Sequence, residues 1–293
     1  MTTNSSNSAR SANAGTGTVR SGDVDLFYRR FGKPGATPLL IVHGLSYFSY
    51  DWIDVATALS HDREVVAMDL RGFGDSSWSP ARDYALETFA QDIVALLDHL
   101  GWKQVILIGH SMGGRICLCT AAWYPDRVAA LACVDFAPDV AAAGRAGVAR
   151  RIGNQPDWFE SVNQALTYHG YPEDLSAQAP MRKRFEAFLR QEDGRYQLKR
   201  DLHFRDSFRQ TLAGGKPQAV NVDLWGLLAQ LIMPVLFLRG TKSDMFAPET
   251  LQKLRDNFPD ASAEEVEGGH DLAGDNPEGV LQALRAFLSR IRR

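Results

Sequence analysis

Short, wholly apolar runs alternate with amphipathic segments along most of the chain. The apolar runs lie at 38–42, 64–68, 104–108, 129–134 and 234–238. Because a strand that is buried on both faces shows no polar alternation, each run predicts a strand inside a parallel sheet. Helical spacing between the runs predicts helices at 86–100, 112–124, 249–257 and 277–291. The alternation as a whole indicates an α/β fold, with a parallel sheet covered by helices on both faces.

Two more strands are predicted at the ends of this pattern, at 24–31 and 262–266. The first alternates between apolar and polar residues. Lys33, Pro34 and Gly35 follow it and are typical of a hairpin turn.

The alternating pattern fails at 138–223, where charges and scattered aromatic residues replace the buried runs. Helical spacing returns at 181–191 and 202–212, so we expect a mainly helical insertion between two strands of the sheet. The N-terminal segment is rich in Ser, Asn, Thr, Ala and Gly, which favours a disordered tail. The expected organisation is a tail at 1–18, a core at 19–137, the insertion at 138–223 and the rest of the core at 224–293.

Composition narrows the class of protein. The chain has 293 residues and 45% hydrophobic content, and 32 basic against 35 acidic residues give a net charge of −3. These values are typical of a globular protein and give no electrostatic reason to expect nucleic-acid binding. The sequence has neither a signal-peptide pattern nor an apolar stretch that could span a bilayer. We therefore expect a cytoplasmic protein, a monomer or homodimer, with a small-molecule substrate and no nucleic-acid or membrane partner.

The three cysteines, Cys117, Cys119 and Cys133, do not form a disulfide framework, because their number is odd and two lie in one predicted helix. Their spacing does not resemble a zinc site. They are predicted to be small buried residues in a reducing compartment.

A candidate nucleophile lies in Gly109-His110-Ser111-Met112-Gly113. This G-x-S-x-G pattern follows a buried strand directly and precedes a helix directly, which is the context that a nucleophile elbow requires. The flanking glycines allow a tight turn with close backbone approach, and the free N–H groups of the helix N-terminus favour developing negative charge. Ser111 is therefore the predicted nucleophile.

A serine nucleophile needs a general base and a carboxylate that orients the base. His270 is the predicted base, because it lies in a glycine-rich loop between the last predicted strand and the closing helix. Asp244 follows the buried run at 234–238 and is the preferred acid. The chain order Ser111, Asp244, His270 is the order of one known fold class. Asp135, at the end of the preceding strand, stays open as the alternative acid.

Two backbone N–H groups are the predicted donors to a reaction oxyanion. One belongs to Met112, directly after the nucleophile, and the other to Leu45, in the loop after the run at 38–42. In that loop the His43 side chain is expected to act as a structural tie. The segment 69–76 contains glycines but lacks the other residues of a phosphate-binding loop. We interpret this segment as a structural turn.

Four motifs in this order resemble the α/β-hydrolase fold superfamily, from about residue 24 to the C-terminus. They are His43-Gly44, the segment 69–76, the segment 109–114, and Gly268-Gly269-His270. The resemblance implies an eight-stranded, mostly parallel sheet and a helical cap over a pocket at the carboxyl ends of the strands. It places the nucleophile, acid and base on Ser111, Asp244 and His270, and it implies no cofactor and no metal.

Within that superfamily, epoxide hydrolases and haloalkane dehalogenases carry Asp at the elbow, so Ser111 disfavours both activities. The preferred hypothesis is a carboxylesterase for a small or medium, apolar or aromatic substrate. Hydrolysis of a carbon–carbon, amide or lactone bond, or a perhydrolase- or haloperoxidase-like activity, would use the same residues. A ligand receptor or signalling protein with vestigial turnover is the alternative from another class.

Aromatic residues near the oxyanion loop and in the insertion are candidates for the substrate pocket. The candidates are Tyr47, Phe48, Trp158 and Tyr168. The insertion also carries basic runs at 182–184 and 199–200. An anionic substrate would explain them, but a solvated helix face is the preferred interpretation.

Overall fold

A computed structural model of the protein describes residues 15–215 and 222–291. Its centre is an eight-stranded sheet, and a two-stranded hairpin lies apart from it. The strands are β1 (Gly15–Ser21), β2 (Val24–Phe31), β3 (Ala36–Val42), β4 (Arg63–Met68), β5 (Val105–His110), β6 (Val128–Val134), β7 (Leu189–Glu192), β8 (Arg195–Leu198), β9 (Val235–Gly240) and β10 (Ser262–Val266).

The described helices surround this sheet and build the insertion. They are α1 (Ile53–Leu59), α2 (Leu86–His99), α3 (Met112–Trp123), α4 (Ala142–Gly153), α5 (Val162–Tyr168), α6 (Pro180–Phe188), α7 (Leu202–Leu212), α8 (Leu224–Leu228), α9 (Pro248–Asn257), α10 (Leu272–Asp275) and α11 (Pro277–Leu288). Short 3-10 helices lie at Ser49–Trp52 and Pro125–Arg127. No helix in the described part of the chain is long and apolar enough to cross a membrane.

The strand order in the large sheet is β1-β2-β4-β3-β5-β6-β9-β10. Six neighbouring strands of this sheet run parallel, namely β4, β3, β5, β6, β9 and β10. β2 is antiparallel to both β1 and β4. This architecture confirms the predicted eight-stranded, mostly parallel sheet. The carboxyl ends of β3, β5, β6 and β9 therefore meet at one edge, which is where ligands of open α/β sheets bind.

Both faces of the sheet are buried, which explains why the central strands are apolar throughout. Leu40 and Val42 of β3 belong to the apolar cluster on one face, to which α2, α3, α8 and α9 also contribute. Their neighbours Leu39 and Ile41 point the other way and pack with α1 and α11. Cys117, Cys119 and Cys133 are buried free thiols, as predicted from the sequence.

The N-terminal strand and one turn differ from the prediction. β1 begins at Gly15, so residues 15–18 of the expected tail belong to a strand, while residues 1–14 lie outside the described part. β1 and β2 form the hairpin, with Gly22 in the turn at a φ of 53°. Lys33–Gly35 is not a hairpin turn, because β2 pairs with β4 rather than with β3.

The expected insertion contains α4 to α7 and, in addition, the antiparallel hairpin of β7 and β8. The helix predicted at 181–191 ends at Phe188, where the chain enters β7. Phe159, Leu166, Phe185 and Phe188 form a small core of the insertion, and Phe48 from the loop after β3 packs into it. Residues 216–221 of the expected insertion lie outside the described part.

Candidate active site

Ser111 lies on the sharp turn between β5 and α3, with φ 52° and ψ −117°. The flanking positions 109 and 113 require glycine, because the neighbouring backbone leaves no room for a Cβ atom. A Cβ atom at Gly109 would lie 2.5 Å from the carbonyl oxygen of Gly113, and one at Gly113 would lie 2.2 Å from that of Val42. The strained backbone of Ser111 is thus held between elements that only glycine lets approach so closely.

The imidazole of His270 lies between Ser111 and a buried carboxylate. His270 follows β10, and its Nε2 lies 2.9 Å from Ser111 Oγ, while its Nδ1 lies 2.6 Å from Asp135 Oδ2. In the neutral tautomer with a proton on Nδ1, His270 donates to Asp135 and accepts from the Ser111 hydroxyl. The structure therefore brings the two predicted residues Ser111 and His270 together in the arrangement that general-base activation of a serine needs.

Asp135 is held firmly at the end of β6. Its side chain is buried, and its backbone adopts a φ of 44°. The backbone N–H of Gly240 donates to Oδ1 at 2.8 Å, and the Ser243 hydroxyl donates to Oδ2 at 2.5 Å. Together with His270, these donors satisfy both oxygens of a carboxylate that lies away from water.

The prediction that Asp244 orients His270 is wrong. Asp244 is exposed, and its carboxylate points toward α4, where a Cβ atom at Gly147 would lie 3.8 Å from Oδ2. β6 and β9 are parallel neighbours, so the loops after both strands end at the same edge of the sheet. In the loop after β9 it is the neighbouring Ser243 that faces this edge, and it supports Asp135 there.

The loop after β3 approaches the elbow closely. A Cβ atom at Gly44 would lie 3.1 Å from Ser111 Cβ, so this loop passes directly beside the nucleophile. Leu45 and Met112 both line the cavity next to Ser111. Neither of their backbone N–H groups donates a hydrogen bond within the part of the chain that the structure describes. This arrangement supports the prediction of both groups as oxyanion donors.

His43 is a structural tie, as predicted. Its Nδ1–H donates to the Gly44 carbonyl at 2.8 Å, and its Nε2 accepts the backbone N–H of Leu70 at 3.0 Å. Burial lowers the pKa of His43 to about 4, so the ring is neutral near pH 7. The ring joins the loop after β3 to the segment 69–76.

The segment 69–76 is a structural turn, also as predicted. The buried carboxylate of Asp69 accepts the backbone N–H groups of Ser49 and Asp75, at 2.6 and 2.8 Å. Burial raises the pKa of Asp69 to about 6, while these two hydrogen bonds act in the opposite direction. Arg71 forms a buried two-pronged ion pair with Asp92. These contacts occupy the polar groups of the segment with protein partners.

His110 supports the loop that carries His270, and reasoning from the sequence missed this role. Its ring is buried, and its Nε2–H donates to the backbone carbonyl of His270 at 2.8 Å. Burial lowers the pKa of His110 to about 3. His110 thus anchors the loop that carries the base. The contact joins residues 160 positions apart, and no local pattern signals it.

A cavity of about 900 Å³ opens above Ser111, between the loops at the strand ends and helices α4 and α7 of the insertion. Apolar side chains dominate its wall, including those of Phe136, Phe204, Phe208 and Met245. This volume lies within the range of small-molecule sites.

Only one of the four predicted pocket aromatics lines this cavity. Tyr47 does so, but Phe48 is fully buried and stacks on Phe188. Trp158 lies under the guanidinium of Arg195, and the Tyr168 hydroxyl donates to the Arg151 carbonyl. Predictions for Phe48, Trp158 and Tyr168 were therefore wrong, because these rings pack the insertion instead. Within residues 15–215 and 222–291, no cluster of three or more His, Cys, Asp or Glu side chains could hold a metal ion.

Comparison with known proteins agrees with this geometry. A family model described as the alpha/beta hydrolase fold matches residues 37–277, which is most of the chain and includes Ser111, Asp135 and His270. The chain belongs to the α/β-hydrolase fold family. Family membership accounts for the strand order, the elbow and the placement of the base after the last strand.

Individual members of the α/β-hydrolase family resemble this chain over nearly its full length. Esterase YbfF of Escherichia coli is 27% identical over 86% of this chain and 93% of its own. The 2-(acetamidomethylene)succinate hydrolase of Mesorhizobium japonicum is 29% identical over 87% of this chain and 90% of its own. A crystal structure of E-2-(acetamidomethylene)succinate hydrolase superimposes with a TM-score of 0.79, at 26% identity, over 94% of this chain and all of the other. These relatives are thus an esterase and hydrolases of 2-(acetamidomethylene)succinate.

Proposed function

We propose that this α/β hydrolase is a serine hydrolase that cleaves a carboxylic ester of a small or medium substrate through an acyl-enzyme. The observation that carries the proposal is the hydrogen-bonded sequence Ser111–His270–Asp135 at the floor of the cavity. The resemblance to esterases supports the same reaction class.

In the proposed reaction, His270 takes the proton of Ser111 while Oγ attacks the acyl carbonyl carbon. Asp135 holds the imidazole in the required tautomer and stabilises the imidazolium that forms. The backbone N–H groups of Leu45 and Met112 hold the oxyanion of the tetrahedral intermediate. His270 then protonates the leaving alcohol, and a water molecule that His270 activates releases the acid from Ser111.

Steady-state hydrolysis of 4-nitrophenyl esters from acetate to octanoate tests the proposal. Wild type is expected to turn over many times, and Ser111→Ala is expected to lower kcat by at least about 10⁴-fold. Ser289→Ala is the matched control, because Ser289 caps α11 far from the cavity. The chain length with the highest kcat/KM would measure the acyl pocket.

Two outcomes would contradict the proposal. A burst of one equivalent followed by no further release would favour a receptor with vestigial turnover. A rate that Ser111→Ala leaves unchanged would remove Ser111 as the nucleophile.

Amide hydrolysis is the second candidate, since one similar protein is a 2-(acetamidomethylene)succinate hydrolase. The same Ser111, His270 and Asp135 would serve both reactions, with His270 protonating a leaving amine instead of an alcohol. A 4-nitroanilide with the preferred acyl group separates the two. A Ser111-dependent rate on the anilide that equals or exceeds the ester rate would favour the amide.

A further inference from the structure

Arg115 lies one helical turn after Ser111 on α3, and it lines the same cavity. Residues four apart on a helix share a face, with Cβ atoms about 6 Å apart. Because Cα–Cβ bonds tilt toward the helix N-terminus, the Arg115 side chain starts out toward Ser111. Cys119, one turn further along α3, is its titratable neighbour, and Arg115 itself borders the same cavity as Ser111.

Among the residues that the structure describes, the Arg115 guanidinium has no acidic partner. Arg115 is partly buried, and its buried Nε atom has no hydrogen-bond partner among the described residues. Every Asp and Glu of the chain lies in the described part, because residues 1–14, 216–221 and 292–293 contain neither. None of these carboxylates acts on Arg115. Burial lowers its pKa, and the titratable neighbour Cys119 is a neutral thiol whose pKa burial raises to about 12.

The remaining charge of the cavity wall is also mainly positive. Arg145 and Arg151 on α4 also line the cavity, and Glu87 of α2 is the one exposed acid among the described lining residues. Asp135 also borders the cavity, but it is engaged with His270, Gly240 and Ser243.

The basic runs of the insertion do not contribute to this excess. Arg184 pairs with Asp51, Lys199 with Asp75, and Arg182 with Glu186. Arg200 is buried and donates to Gln155. These four side chains of the runs at 182–184 and 199–200 are therefore engaged within the protein, whereas Arg115 in the cavity wall has no acidic partner among the described residues.

We propose that Arg115 binds a carboxylate of the substrate, so that the enzyme acts on esters of carboxylate-bearing acids or alcohols. A carboxylate matches the planar guanidinium with two parallel hydrogen bonds. Because the cavity wall also contains Glu87, which would repel further negative charge, we expect a substrate with a single carboxylate beyond the ester. Arg115 would be a specificity-determining residue, and the apolar wall would take the rest of the molecule. This inference rests on the proposed function, because it names the substrate class of the same site.

Matched substrates with and without a carboxylate test the inference. Mono-4-nitrophenyl glutarate and 4-nitrophenyl pentanoate differ by the charge on the acyl side, and 3-acetoxybenzoate and phenyl acetate differ by the charge on the leaving group. Wild type is expected to prefer the anionic member of at least one pair. In that pair, Arg115→Gln is expected to lower kcat/KM for the anionic ester about ten- to a hundredfold, the usual effect of losing a charge-assisted hydrogen bond.

The control variants separate recognition from folding. Arg115→Lys keeps the charge and is expected to recover part of the activity on the anionic ester. Arg20→Gln removes the same charge at the exposed edge strand β1 and is expected to leave kcat/KM unchanged for both the anionic and the neutral ester. Equal losses on the anionic and neutral esters in Arg115→Gln, or no loss on either, would overturn the inference.

Binding distinguishes failure of this inference from failure of the proposed function. If wild type hydrolyses none of these esters, ester hydrolysis is contradicted, but the carboxylate site can still be measured. Calorimetry on Ser111→Ala is expected to give a Kd for glutarate at least about tenfold lower than on Ser111→Ala/Arg115→Gln. Neutral glutaramide is expected to show no such difference. Equal affinity of glutarate for the two proteins would overturn the inference whatever the reaction is.

Discussion

The loops at the strand ends and the insertion above them are built by different means. The strand-end loops, 43–48, 109–114, 135–137, 240–246 and 268–271, are anchored by backbone strain and by buried hydrogen bonds. Ser111 and Asp135 both have positive φ, and both are held between sheet and helix. In the insertion, a small apolar core and several ion pairs hold short helices together. In the described part of the chain, four large apolar residues are exposed, and three of them, Tyr168, Tyr171 and Leu212, lie in the insertion.

This difference separates reaction from recognition. Sub-ångström positions of a nucleophile and base need a rigid support, which the parallel sheet and its glycine contacts supply. Residues in a pocket wall of short helices can be substituted without disturbing that support, because few of their side chains reach the strand ends. We therefore expect substitutions at the strand ends to change the rate, and those in the insertion to change affinity and stability.

The largest effect is expected from Asp135, compared with Asp244 in the neighbouring loop. Asp135→Asn should lower kcat on a 4-nitrophenyl ester about 10³- to 10⁴-fold, because an amide in place of the carboxylate favours the wrong tautomer of His270. Asp244→Asn makes the same chemical change at an exposed site and should stay within about twofold. A larger loss in Asp244→Asn than in Asp135→Asn would assign the acid as the sequence prediction did.

The acid shows where prediction from sequence ended. Ser111 and His270 could be found because each lies in a glycine-containing motif next to a predicted strand. The choice between Asp135 and Asp244 depends on which of two adjacent loop ends faces His270. Chain order does not distinguish them, because both aspartates lie between Ser111 and His270 in the sequence. Both loops also finish at the same edge of the sheet. His110 was missed for a similar reason, because its partner is the backbone of a distant loop.

The fold itself was predictable where burial leaves a strong pattern. Central strands such as β5 are buried at every position, and their apolar runs reveal them. β1 is an edge strand with mostly exposed side chains, held by backbone pairing to β2, so its sequence lacks the pattern. The short hairpin of β7 and β8 is similarly polar, with Gln, Glu and Arg among its residues. Pairing of this kind depends on backbone contacts that side-chain periodicity does not record.

The next effect compares two glycines that face very different neighbours. A Cβ atom at Gly113 would lie 2.2 Å from the Val42 carbonyl oxygen, whereas one at Gly147 meets only Asp244 Oδ2, at 3.8 Å. Gly113→Ala should lower the free energy of unfolding by about 2–3 kcal/mol, because backbone must shift. Gly147→Ala should raise it by about 0.5–1 kcal/mol, since alanine favours the helix. Denaturant unfolding measures both, and equal signs would contradict the comparison.

Acid should weaken the strand-end loops through His43. Burial lowers its folded pKa from 6.5 to about 4, so the unfolded chain binds the proton first as the pH falls. The stability therefore falls as the pH is lowered from about 6.5 to about 4, and the loss is complete below that window. From pH 7 to pH 5, His43 should account for a loss of about 2 kcal/mol. Denaturant unfolding at both pH values should show a smaller difference in His43→Gln than in wild type. An unchanged difference would contradict a neutral buried His43.

The smallest effect concerns the tie between the two regions. Arg184 of α6 donates to Asp51 at 2.5 and 3.0 Å and to the Ser46 carbonyl at 3.0 Å, beside Leu45. Asp51 strengthens the charged form of Arg184 and raises its pKa. Both side chains are mostly buried, so water screens the attraction between their charges only in part. A double-mutant cycle of Arg184→Gln and Asp51→Asn should therefore give a coupling of about 1 kcal/mol in the free energy of unfolding.

The kinetic consequence of that tie distinguishes the two regions most directly. If Arg184 only anchors the insertion, Arg184→Gln should raise KM severalfold and leave kcat nearly unchanged, since the Ser111–His270–Asp135 contacts lie within the strand-end loops. A fall in kcat with KM unchanged would mean that Arg184 positions the oxyanion loop through Ser46. The insertion would then take part in the reaction as well as in recognition, and the division between rigid support and variable wall would have to be placed elsewhere. Steady-state kinetics on the preferred 4-nitrophenyl ester, with Arg182→Gln on the same helix as the control, separates these outcomes.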